Sequence, residues 1–168
     1  VTQPRLMSGL VIRDAAPADV PVVAGFVRAL AAYEKLSHEA VGTDADFHAA
    51  LFGDPRRAGC LIAEADGVPA GFALYHWTFS TFQARPGRWL EDLWVDPAFR
   101  RRGIARALIA RLAAETLAEG GGRLSWNVLD WNKPAIATYD AMGATSMNAW
   151  ITRRLAGDAL LTLAAEAA

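Results

Sequence analysis

The chain has 168 residues, 53% of them hydrophobic and 21% charged, with a formal net charge of −1. That length and composition fit one globular domain with a substantial core and exclude a disordered chain. The near-neutral balance argues against a protein built to coat nucleic acid, and no apolar run approaches the roughly 20 residues that a bilayer crossing needs.

The first nine residues, VTQPRLMSG, lack the apolar stretch of a secretory signal and read as a flexible extension ahead of one domain over 10–168. Leu10 to Arg13 reads as a strand. Pro17 to Tyr33 reads as a helix with Val20, Val23, Val27 and Leu30 on one face, its prolines near the start where they are tolerated. Thr43 is an expected N-cap for a short helix to Phe52, which Gly53-Asp54-Pro55 stops. Cys60 to Ala65 and Pro69 to Phe79 form an expected hairpin about Asp66-Gly67. Arg88 to Val95 is the next strand, ended by Asp96-Pro97, and Ile104 to Glu119 is a long helix with Ile104, Leu108 and Leu112 in one row. Gly120-Gly121-Gly122 turns the chain into a strand expected over Arg123 to Leu129. Asn132 caps a helix to Met142, closed by Gly143, and Ala149 to Leu155 is read as a last strand. The order β-α-α-β-β-β-α-β-α-β indicates a mixed α/β sheet flanked by helices.

Chemistry concentrates between the strand and the long helix. Arg100-Arg101-Arg102-Gly103-Ile104-Ala105 brings guanidinium groups and backbone N–H groups to the positive end of a helix dipole. Gly103 and Ala105 are small enough for an anion to approach the main chain, which makes this turn a pyrophosphate cradle. An Arg triplet alone is more often a solvated face; the strand-turn-helix setting points to the cradle. A second signal is Val128-Leu129-Asp130-Trp131-Asn132-Lys133-Pro134, followed by Tyr139 on the next helix. An N-cap asparagine and a helical tyrosine are by themselves ordinary structural residues.

V-D-P followed by R-x-x-G-x-A, then N-x-P-A-x-x-x-Y-x-x-x-G-A, resembles the acetyl-CoA-binding pattern of the GNAT acetyltransferase superfamily. The element order is similar to the GNAT acyl-CoA N-acyltransferase fold, in which two central parallel strands splay apart. Those strands are expected to end at Val95 and near Leu129. Tyr33-Glu34-Lys35-Leu36-Ser37, Leu90-Glu91-Asp92 and V-L-D-W-N resemble the diamine and thialysine acetyltransferase branch.

The resemblance implies acetyl-CoA as cosubstrate. Its contacts would come from Leu93, Trp94 and Val95, from Arg101, Arg102, Gly103, Ile104, Ala105 and Arg106, and from Asn132, Lys133, Pro134 and Ala135. Tyr33, Glu34, Glu91, Ser125, Trp126 and Asn127 would face the amine acceptor, with Tyr139 in the catalytic position next to the sulfur. It also implies a homodimer. Two departures bear on the acceptor: Ala135 stands where polyamine-specific members carry serine, and Met147-Asn148-Ala149 replaces the acidic residue that holds a distal ammonium. A smaller amine or amino-acid side chain fits better than a long polycation.

Acetyl transfer needs a neutral amine, and an alkyl amine with a pKa of about 10.4 is neutral in roughly 4 molecules in 10,000 at pH 7. Glu91 and Asp92 are neighbours on a strand, so strict alternation sends them to opposite faces. Glu91 is the favoured acceptor-side carboxylate, acting through water, while the choice between the two stays open. A strand N–H near Leu93 is the expected oxyanion donor. An acyl-enzyme on Cys60 is disfavoured, since a buried strand start without a nearby histidine does not activate a thiol. The single cysteine fits a reducing cytoplasm, and His38, His48 and His76 lack ligand spacing, so no metal is expected. Two other readings remain: a protein or peptide N-acetyltransferase with an aromatic groove along Tyr75 to Phe82, and a non-catalytic acyl-CoA-binding module. Neither nucleic acid nor membrane is expected as a partner.

Overall fold

The computed structural model describes residues 9–167. The expected N-terminal extension lies outside them, Gly9 excepted. The chain divides into two compact units between Asn127 and Val128.

The first unit is built on a five-stranded sheet in the order β1 (Leu10–Asp14), β2 (Gly59–Ala65), β3 (Val68–Ser80), β4 (Arg85–Val95) and β5 (Leu124–Ser125). β1 to β4 pair antiparallel and β4 pairs parallel with β5. The hairpin between β2 and β3 turns at Asp66-Gly67, both in the left-handed region at φ 52° and 79°. That conformation matches the right-handed twist of a two-residue hairpin.

Alternation along β2 sends Cys60 and Ile62 to one face and Leu61 and Ala63 to the other, and all four are buried. α1 (Val20–Tyr33) and α2 (Asp44–Phe52) cover the first face, where Val23, Leu51, Cys60, Ile62, Phe72 and Trp94 form the core. Val27 and Leu30 pack against it, as their helical spacing requires. Thr43 caps α2 by accepting from the Asp46 N–H at 3.2 Å, and the Asp46 carboxylate accepts from the Thr43 N–H at 2.9 Å. α3 (Ile104–Ala118) packs along the strands with Ile104, Leu108, Ile109 and Leu112 buried.

Three expectations change. β4 begins at Arg85 rather than Arg88, despite Pro86. The Pro86 carbonyl accepts from the Gly122 N–H at 3.1 Å, on the side where β5 has not yet begun its ladder, so the missing proline N–H leaves no ladder bond unmade. The strand expected over Arg123 to Leu129 is only Leu124–Ser125. It pairs Arg88 with Leu124 and Trp89 with Ser125 and then stops, which leaves the upper half of β4 unladdered on that side among the described residues.

The second unit begins at Val128. Asn132 caps α4 (Lys133–Asp140) by accepting from the Ala135 N–H at 3.4 Å, and Gly143 closes the segment at φ 86°. The strand expected over Ala149 to Leu155 is absent among the described residues; the segment is irregular and exposed. Its Trp150-Ile151-Thr152 stretch is β-prone, but this unit supplies no strand for it to pair with. α5 (Gly157–Ala164) follows it.

Candidate active site

On β4, Asp92 pairs with Leu74 of β3 while Leu90 pairs with Tyr75, so Glu91 is an extra residue in the ladder. This β-bulge bends the strand and re-aims its side chains. It lies just past the point where β5 stops pairing among the described residues, an edge whose N–H groups can serve a reacting carbonyl.

The bulge interrupts the alternation expected for Glu91 and Asp92. Glu91 is exposed, and its carboxylate lies 3.7 Å from Nε2 of His76 on β3. Asp92 is partly buried. Burial pushes its carboxyl pKa up to about 6, and the negative charges of Glu91 and Glu34 push in the same direction. Glu34, just beyond α1, is itself raised by burial. Carboxylates from the C-cap of α1 and from β4 are therefore close enough to feel one another, in a setting that favours a cation or a proton.

Two residues beyond Asp92, Trp94 is buried, with the ring of Tyr33 edge-on at 5.9 Å. Next comes the turn into α3. Asp96 accepts from the Ala98 N–H at 2.9 Å and fixes a single 3₁₀ turn over Pro97–Phe99. Arg101 and Gly103 then take left-handed conformations, at φ 63° and 81°. Gly103 is the N-cap of α3 and offers no side chain to the first turn. The N–H groups of Ile104, Ala105 and Arg106 therefore have no intrahelical acceptor and sit at the positive end of the helix. Arg101, Arg102 and Arg106 are exposed around them. Such a turn fits a diphosphate.

A family model described as Acetyltransferase (GNAT) family matches residues 22–144. The chain belongs to the GNAT acetyltransferase family. It is 36% identical to a thialysine N-epsilon-acetyltransferase of Bos taurus, over 94% of this chain and 99% of that one. It is 29% identical to an L-ornithine N5-acetyltransferase of Arabidopsis thaliana, over 89% of this chain and 85% of that one. Its fold is similar to that of an integron cassette protein from the mobile metagenome of V. cholerae, with a TM-score of 0.77 at 22% identity, covering 94% of this chain and 99% of that one.

Within this GNAT acetyltransferase, the first unit brings together Tyr33, Glu34, Glu91, Leu93, Trp94 and Val95 around the upper half of β4. Ser125 ends β5 opposite Trp89; Trp126 is half-buried and Asn127 exposed. In the second unit Lys133 and Pro134 are exposed, Ala135 and Tyr139 half-buried. Lys133 Nζ donates to the Asp130 carbonyl at 2.7 Å, and the Tyr139 carbonyl accepts from the Ala144 N–H at 3.1 Å, which fixes both ends of α4.

Cys60 is buried, and burial, with the nearby negative charge of Asp19, pushes its thiol up to about 12. A thiol held that far from ionisation is no nucleophile near neutral pH.

Sequence reasoning missed Arg88. This side chain is 3% exposed, reaches Glu115 of α3 and Glu119 at the C-cap of that helix, and lies 4.6 Å from the centre of the Tyr75 ring. The available signals were a charged residue in the inward phase of an apolar strand and two acids at i, i+4 on the facing helix. The partnership of His76 with Glu91 was missed as well, because nothing in local sequence announces a bulge.

Proposed function

We propose that this acetyltransferase moves the acetyl group of acetyl-CoA directly onto the primary amine of a small acceptor, an amino-acid side chain or short diamine of the thialysine or ornithine kind. The observation that carries this reading is Asp92. A part-buried carboxyl with its pKa raised toward neutrality stands beside the free edge of a bulged strand, where an amine must lose a proton as it attacks a carbonyl.

An acceptor amine arrives as a cation, and Glu34 and Glu91 supply the negative field that draws it in. Asp92 takes its proton, directly or through water, a task for which a pKa near the working pH is best matched. The amine nitrogen attacks the thioester carbonyl, whose developing negative oxygen is held by an N–H of β4 near Leu93. The carbon–sulfur bond then breaks and the thiolate leaves. The donor's diphosphate would be held by the turn Arg101 to Arg106 and its pantetheine arm by the main chain of Leu93, Trp94 and Val95. The asparagine–tyrosine pattern assigns the remaining donor contacts to Asn132, Lys133, Pro134 and Ala135, and assigns Tyr139 to the departing sulfur. Ser125, Trp126 and Asn127 complete the acceptor side. Direct transfer is supported by the high pKa of Cys60.

We read residues 10–168 as one such domain, supported by a family match that spans both units. A homodimer is supported by the exposed Trp150, Ile151, Leu160 and Leu161, and by a β-prone segment without a strand partner. Sedimentation as a monomer at micromolar concentration would refute it. No helix among the described residues is long and apolar enough to cross a membrane. A cytoplasmic setting is supported by the single buried, unpaired cysteine.

The deciding experiment measures thiol release from acetyl-CoA with lysine, thialysine, ornithine, short diamines, spermidine and a lysine-bearing peptide. Turnover with a small amine and an intersecting-line pattern supports the proposal. Turnover with the peptide alone transfers the reading to a protein acetyltransferase, and binding without turnover on any of them transfers it to a sensor.

A further inference from the structure

Of the three consecutive arginines before α3, the first turns back onto the end of β4. Its Nε donates to the Val95 carbonyl at 3.0 Å. Its guanidinium lies 4.7 Å from the Trp94 ring centre and 5.3 Å from that of Tyr33. One side chain therefore touches the last residue of α1, the end of β4, and the turn that leads to Gly103.

Tyr33 is also where α1 gives way to the connection to α2. That connection begins with Glu34 and with Lys35 in a left-handed conformation at φ 62°. The charge of Glu34, like that of Glu91, reaches Asp92. The acceptor side of the site thus hangs from the same aromatic ring that Arg100 covers. A planar guanidinium can stack on two rings while its Nε keeps a directed hydrogen bond; a lysine ammonium cannot do both.

We infer that Arg100 is a positioning residue that couples the diphosphate-binding turn to the acceptor loop. Donor binding fixes the turn from Arg101 to Arg106, the turn holds Arg100 on Tyr33, and Tyr33 holds Glu34 and the loop behind it. The coupling rests on the proposed donor site and adds to it the side chain that links the two sides.

The test uses coenzyme A as the probe and reads hydrogen exchange of the peptide from Tyr33 to Gly42. Coenzyme A affinity is measured by calorimetry, and the acceptor KM at saturating acetyl-CoA. In the wild type, coenzyme A is expected to slow exchange in this peptide by about fivefold or more, the size of an ordinary inter-site coupling. In Arg100→Ala and Arg100→Lys that protection is lost and the acceptor KM rises by about fivefold, while the coenzyme A Kd changes by less than about threefold. Tyr33→Ala reproduces the effect, and combining it with Arg100→Ala adds nothing further. If Arg100→Ala instead weakens coenzyme A about tenfold and leaves the loop protection intact, Arg100 is a phosphate ligand and the coupling is wrong. A wild type that binds no coenzyme A overturns the donor site itself, an outcome distinct from loss of coupling.

Discussion

Asp92 on β4 pairs with Leu74 on β3, one residue out of step with the pair formed by Leu90 and Tyr75. The mismatch leaves Asp92 partly buried beside Glu91, with its pKa at about 6. An unfolded aspartate titrates near 3.9, so between about pH 4 and 6 the folded chain holds the proton that the unfolded chain has lost. Stability from this group is therefore present at low pH, declines as pH rises through that window, and stays lost above it. Asp92→Asn is expected to be more stable than wild type by about 1–3 kcal/mol at pH 8, with little difference at pH 4. Acetyl transfer should fall by about 100-fold or more, and the activity limb near pH 6 should vanish. Urea unfolding at the two pH values and a kcat/KM profile check both parts. A variant that is less stable at pH 8 and keeps the acid limb would show that Asp92 is an ordinary structural carboxyl.

Gly103 tests the donor turn. Its φ of 81° is one that an L side chain adopts at a cost of about 1–2 kcal/mol. Gly103→Ala should either lose that much stability or reshape the turn, and a reshaped turn misaims the N–H groups of Ile104 and Ala105. The expected result is a rise of about tenfold in the acetyl-CoA KM, equivalent to about 1.4 kcal/mol, with the acceptor KM at saturating donor nearly constant. An acceptor-selective defect would mean that the turn serves the other substrate.

Much of the first unit was legible because its signals are local and repeated. The spacing of Val20, Val23, Val27 and Leu30 marked α1, Asp66-Gly67 marked the hairpin, and Thr43 and Asn132 marked helix starts. The donor turn was legible for the same reason: strand, glycine and helix follow one another within a few residues. What escaped depends on partners distant in sequence. The length of β5 is set by where it leaves β4, and the Ala149 to Leu155 segment has a strand's composition without a strand beside it. The bulge at Glu91 is a mismatch between two strands, so no property of either one records it. The different burial of Glu91 and Asp92 therefore follows from a register that neither strand records alone. Arg100 escaped for a related reason, since a basic run gives no hint that its first member stacks on Tyr33.

Arg88 makes a stability prediction independent of catalysis. Its guanidinium is buried on Tyr75 and neutralises Glu115 of α3 and Glu119 at the C-cap of that helix, while its Nε has no partner among the described residues. Removing one member of such a set leaves uncompensated charge, which costs more than the pair itself contributes. Arg88→Ala should destabilise the protein by about 3 kcal/mol in urea unfolding. Adding Glu119→Gln to Arg88→Ala should recover part of the loss, because Glu115 keeps its ion pair with Arg111 while Glu119 loses the one it makes with Arg88. No recovery would place the cost in lost packing on Tyr75.

Tyr139 carries the last step in the proposed reaction. A free thiol has a pKa near 8.5 and a phenol near 10, so full proton transfer from the phenol to the leaving thiolate is uphill by about 1.5 units. A hydrogen bond that strengthens as charge develops on sulfur needs no complete transfer. Tyr139→Phe removes that bond while keeping the ring that half-buries itself on α4. The expected loss in kcat is about 10- to 100-fold, at or below the lower end of what a positioned acid supplies, with the acetyl-CoA KM changed by less than about threefold. A poorer leaving group should be hurt more than a better one, so an oxygen-ester analogue of the donor would show a larger ratio between wild type and variant. A kcat within twofold of wild type on the thioester would remove Tyr139 from the reaction and leave thiolate departure to solvent.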